Sequence, residues 1–172
     1  LKILLDRGRQ ILIIPIKKVE IAMMQVSQKT RYALRAVFEL ARRHGQGPIR
    51  IADIAQSQAI PPRFLEGILH QLKQGGLLRS VRGARGGYEL ARGPEEVTVG
   101  DLIRLIEGPI APAACINEDN PEGCPLFNNC VFMGLWKRAA EALSGVYDGT
   151  SFADLVAEDQ RGHEQAGHSY II

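Results

Sequence analysis

The stretch from Pro48 to Ala91 constrains this chain more than any other, because its turn residues and apolar spacing dictate an order of short elements. Ile51, Ile54 and Ala55 mark a short amphipathic helix. Ala59-Ile60-Pro61-Pro62 is a tight connection, and its prolines suit the first turn of a second helix, where a missing N–H costs little. That helix carries Phe64, Leu65, Ile68, Leu69 and Leu72 at helical spacing, so one side is expected to be buried. Arg63, Glu66, Gly67 and His70, at i, i+3, i+4 and i+7, form the other side. Gly75-Gly76 ends the helix. Leu77 to Val81 then reads as a strand and Tyr88 to Ala91 as its return, around the tip Arg82-Gly83-Ala84-Arg85-Gly86-Gly87. This is the order of a winged helix-turn-helix.

Each piece has a use on DNA. A major groove admits a helix, and side chains near its start meet base edges. Arg63 can donate two hydrogen bonds to a guanine edge, Glu66 can accept from a cytosine amino group, and Gly67 leaves room for close approach. The tip offers Arg82 or Arg85 to an adjacent minor groove, where narrow A·T tracts concentrate negative potential. The alternative is a helical pair with a solvated face and an ordinary turn. The charge distribution argues against it. Residues 25–92 hold twelve Lys/Arg and four Asp/Glu, whereas residues 93–172 hold four and thirteen. Positive charge therefore sits on the proposed reading module, as phosphate binding requires, and the acidic half is left for sensing or assembly.

The order Lys29-Thr30-Arg31-Tyr32-Ala33-Leu34-Arg35, Ile51-Ala52-Asp53-Ile54-Ala55, Phe64-Leu65-Glu66 and Val81-Arg82-Gly83-Ala84-Arg85-Gly86-Gly87-Tyr88 resembles the Rrf2 family of bacterial transcription regulators. The similarity continues through Val99-Gly100-Asp101-Leu102-Ile103 and the cysteine region to about Leu155. The resemblance implies a homodimer on a palindromic operator. It matches Arg63 and Glu66 to base-reading positions and Arg82 to a minor-groove arginine.

The expected fold is mainly α with a small β-hairpin: a winged helix-turn-helix over 24–92 plus a long dimerisation helix. Residues 1–23 read as a non-native or flexible extension, upstream sequence translated in frame before a start at Met23 or Met24; the other reading is an arm packed on the dimer. Ser27 to His44 reads as a first helix with Tyr32, Ala36, Val37, Leu40 and Ala41 buried, and with Lys29, Arg31 and Arg35 placed to touch phosphates. Residues 93–130 supply a linking helix and a loop. Thr98 and Asp101 resemble a capping pair ahead of buried Leu102, Leu105 and Ile106, and Gly108-Pro109 stops that helix. From Val131, Phe132, Leu135, Ala139, Ala142 and Val146 repeat at steps of three and four, beside Trp136 and Leu143, a seam suited to a second subunit. Ser151 and Asp154 resemble a second capping pair, opening a short helix with Phe152, Leu155 and Val156 that completes 131–159. Residues 160–172 read as a flexible tail.

Cys115, Cys124 and Cys130 all lie in or beside the loop from Ile110 to Asn129, which is rich in Pro, Asn, Gly and acidic residues. An odd number of cysteines and no apolar run long enough to span a membrane point to a reducing cytoplasm. The spacing is not that of a zinc ribbon, and a flexible loop lets thiolates converge on an iron–sulfur cluster. The resemblance implies a [2Fe–2S] or [4Fe–4S] cluster on these three residues. Met133 stands where some members place a histidine, and Arg31 where others place an aspartate, so the fourth ligand is unassigned; Glu118, Asp119 and Glu122 are nearby oxygen donors. Glu39-Leu40-Ala41, His44-Gly45 and Glu107-Gly108-Pro109-Ile110-Ala111-Pro112 resemble the cysteine-metabolism repressor branch instead, which lacks the cluster and is controlled by a cysteine-biosynthesis enzyme. Control by thiol oxidation is the related alternative. An iron–sulfur enzyme or electron carrier is disfavoured, since no nucleophile–base pair or phosphate loop is visible and His44, His70, His163 and His168 are scattered.

Overall fold

The computed structural model describes residues 26–83, 86–116 and 126–168. Helix α1 (Gln28–Arg42) starts where Ser27 Oγ accepts the Thr30 N–H at 3.1 Å. Ala33, Ala36, Val37, Leu40 and Ala41 face the core, but Tyr32, expected with them, is only half-buried. Thr30 and Glu39 are buried in addition. α2 (Ile51–Ser57) and α3 (Pro62–Gln74) form the helix-turn-helix. Its turn uses Ala59 at φ +47°, a conformation that costs an alanine about 1 kcal/mol and that no glycine in the sequence flags. The Ile60 N–H donates to the Ala55 carbonyl at 2.9 Å and closes it.

β1 (Leu78–Val81) pairs antiparallel with β2 (Gly87–Leu90), in register from Leu78 opposite Leu90 to Val81 opposite Gly87. Ile49 bridges the other edge of β2, exchanging 2.9 and 2.8 Å backbone hydrogen bonds with Tyr88. Gly87 is required there: a Cβ would stand 2.3 Å from the Ile49 carbonyl oxygen. Thus the wing is fastened to the loop before α2, not merely appended to α3.

α4 (Val99–Glu107) has the capping box expected of Thr98 and Asp101, with both reciprocal hydrogen bonds present. Leu102 is buried as expected, whereas Leu105 and Ile106 are half-buried and Ile103 is the second buried side chain. α5 (Met133–Asp148) buries no residue. It is tied back to α4 by a two-pronged ion pair, Arg104 to Asp148 at 2.6 and 2.7 Å. α6 begins at Phe152, with Ser151 and Asp154 forming the second capping pair. Phe152 is fully buried, and its N–H donates to the Val97 carbonyl at 2.9 Å. The expected short helix is a correction: α6 runs from Phe152 to His168, so most of the segment read as a tail from Gln160 is helical. α6 packs on α1, which supplies the partner a polar helix needs. Among the described residues no helix is long and apolar enough to cross a membrane.

Candidate nucleic-acid interface

α3 separates its two faces sharply. Leu65, Ile68, Leu69 and Leu72 are at most 3% exposed, whereas Arg63, Glu66, Gly67 and His70 all lie on the surface. The helix therefore owes its position to one stripe and leaves the opposite row free of core contacts. Gly67 sits mid-helix with nothing within 4 Å of where a Cβ would be, so its openness serves nothing inside the protein.

Phe64 departs from expectation. Assigned by spacing to the buried stripe, its side is 48% exposed. The Tyr32 ring lies 6.3 Å away, and the Arg63 guanidinium sits over the Phe64 ring at 4.7 Å. With Gln28, Lys29, Gly67 and Ile68, these residues line a groove of about 540 Å³ between α1 and α3.

Of the cations near the start of α1, Lys29 is exposed, and Arg31 is exposed with its guanidinium donating to the Gln28 side chain. Arg35, also exposed, donates to the Gln58 carbonyl at the end of α2. Glu107 sets the entry of α1, accepting the Ser27 N–H at 2.8 Å. Burial pushes its carboxyl up, but hydrogen bonds from Thr30 and Ser27 outweigh this and hold it below the ordinary range.

Arg82 is exposed where β1 ends, and Gly83 follows at φ +117°, accessible to glycine alone without strain. The Gly86 N–H donates to the Gly83 carbonyl at 2.9 Å across the tip. Arg85 lies outside the described residues. Behind the tip, Arg79 is paired with its cross-strand neighbour Glu89 at 2.9 Å.

Among its described residues, the cysteine loop between α4 and α5 holds two single 3-10 turns, Ala114–Ile116 and Phe127–Asn129. Cys115 and Cys130 are half-buried free thiols at its two sides. Cys124 and the oxygen donors Glu118, Asp119 and Glu122 lie outside the described residues. Among the described residues no three His, Cys, Asp or Glu side chains gather closely enough to hold a metal. The two thiols fit an iron–sulfur cluster in kind, since thiolates are its usual ligands, but do not complete a ligand set.

The Rrf2 family model, described as an iron-dependent transcriptional regulator, matches residues 26–158. The HTH-type transcriptional regulator CymR of Bacillus subtilis is 36% identical over 148 residues, covering 86% of this chain and all of that protein. Its solved structure, described as that of the global cysteine regulator, superposes with a TM-score of 0.66 at 36% identity, over 78% of this chain and 97% of that one. The structure of T. potens IscR gives a TM-score of 0.66 at 31% identity, over 80% of this chain and 90% of that one. These relatives are regulators rather than enzymes, in agreement with the absence of a catalytic motif from the sequence.

Proposed function

We propose that this chain, which belongs to the Rrf2 family of transcriptional regulators, works in the cytoplasm as a homodimer on a palindromic operator and is controlled through its cysteine loop. The observation that carries the DNA reading is the division of α3 between a buried apolar stripe and an exposed row of Arg63, Glu66, Gly67 and His70. In this reading α3 enters the major groove. Arg63 bonds a guanine edge, Glu66 accepts from a cytosine amino group, and His70 lies one turn further along the same row. Arg82 and Arg85 enter the minor groove from the wing, while Lys29 and Arg31 hold phosphates and fix register.

Gly67 separates fold from function. Gly67→Ala is expected to raise stability by about 0.5–1 kcal/mol, since alanine is the better helix former and its methyl meets nothing in the free protein. The same methyl intrudes on a base edge, so operator affinity is expected to fall. Urea unfolding and DNA titration of one preparation read both effects; an affinity that does not change places α3 outside the groove.

Cys115, Cys124 and Cys130 would hold a [2Fe–2S] or [4Fe–4S] cluster, which when bound supplies a centre responsive to iron and redox state. Three thiolates holding one cluster would draw the loop between α4 and α5 together. That loop sets how α5 leaves the reading head, and hence how far apart two heads stand. Control arises only if the two loop shapes differ in affinity for the operator. A second reading has its own support: the similarity to CymR, and two part-exposed free thiols, favour control by thiol oxidation or by a cysteine-biosynthesis enzyme without a cluster.

Anaerobic purification with iron and sulfide analysis decides between them. The expected result is visible absorbance with bound iron, lost in Cys124→Ala. A colourless, iron-free protein whose operator binding responds to peroxide establishes the second reading and leaves DNA recognition intact.

A further inference from the structure

We infer that Phe64 is a specificity-determining residue, whose ring receives the 5-methyl group of a thymine next to the base bonded by Arg63. The inference rests on the DNA reading proposed above. At about 100° per residue, Phe64 lies about 40° round α3 from buried Ile68 and about 60° from exposed Gly67. It thus borders the reading row, on the side facing Tyr32 of α1. Nearly half its surface is left in water, which the core does not require. The groove it lines is apolar along Tyr32, Phe64 and Ile68, with Lys29 and Arg63 as cations beside this wall.

A thymine methyl suits this arrangement. It is the one apolar group on the major-groove edges of the bases, and phosphates bracket it along the strand. An apolar wall flanked by cations complements both features. Arg63 adds adjacency. With its guanidinium over the Phe64 ring at 4.7 Å, it and the ring must address neighbouring bases, so the favoured step is a thymine beside a guanine.

The test uses a duplex selected by the full chain from a randomised double-stranded pool. Each thymine of the selected duplex is replaced singly by deoxyuridine, which removes the methyl and nothing else. Replacement at one symmetry-related pair of thymines is expected to weaken binding about fourfold per site, the equivalent of one buried methyl. Phe64→Ala, checked for folding by circular dichroism and thermal unfolding, is expected to bind the parent duplex more weakly and to be indifferent to the same replacement. If no thymine responds in the wild-type chain, or if the penalty persists unchanged in Phe64→Ala, the inference is overturned while DNA recognition stands. If no duplex is enriched at all, the DNA reading itself fails and takes the inference with it.

Discussion

Replacing Arg42 and Arg43 together with alanine is expected to cost about 3–5 kcal/mol and to lower the melting temperature by roughly 10 °C or more. The reason is Glu39, whose carboxylate is fully buried on the core side of α1. Arg42 donates to its Oε2 at 2.8 Å, and the Gln58 amide donates to the same oxygen at 3.0 Å. The Arg43 Nε lies 2.8 Å from Oε1, near enough to neutralise charge but off the line of a well-directed hydrogen bond. Both arginines are partly in water, so freeing them costs little; stranding the carboxylate is what costs. Glu39→Gln added to the double-alanine variant removes the stranded charge and can keep the bond to Gln58. It is expected to restore more than half of the lost stability in a thermal melt. No recovery would assign the loss to arginine packing instead. The network also bears on recognition, because Gln58 closes α2 immediately before the Ala59 turn that aims α3.

What could be read in the chain and what could not divide along a physical line. Capping pairs are local, and Thr98 with Asp101 and Ser151 with Asp154 form the hydrogen bonds their three-residue spacing suggests. The wing was legible for the same reason, since Gly83 and Gly87 answer to backbone demands within a few residues or across one rung. Features decided by a neighbour distant in sequence were not. Phe64 lies on the margin of an apolar stripe, and whether a margin is covered depends on how α1 docks. Glu39, between Phe38 and Leu40, gives no sign of burial; its partners Arg42 and Arg43 look like solvated charges, and Gln58 lies beyond the end of α2. The α6 segment beyond Gln160 has no apolar period of its own, and its helix extends from a start that packs against α1. Arg35, one of several cations along α1, gives no sequence signal that it bonds the Gln58 carbonyl.

The seam on α5 gives the other large expected effect. Phe132 at the N-cap of α5 and Leu135 and Val146 within it are 56%, 46% and 64% exposed in the single chain, and no residue of the helix is fully buried. Burying the rest of each would contribute about 1 kcal/mol per side chain, doubled by symmetry when two copies meet. Glutamate at Leu135 and Val146 would place four charges among the apolar side chains of that seam, at a cost that exceeds the apolar gain. The Leu135→Glu, Val146→Glu chain is therefore expected to sediment as a monomer with its reading head folded, since the core of α1 to α4 does not depend on either residue. Its affinity for a palindromic duplex should drop by about 10²–10⁴-fold, to the level of a half-site, because the second head no longer binds as part of the same molecule. Half-site affinity itself should be unchanged, which distinguishes loss of pairing from damage to α3. A variant that still sediments as a dimer would show that some other surface joins the two copies, and the coupling from the cysteine loop through α5 to head spacing would go with it.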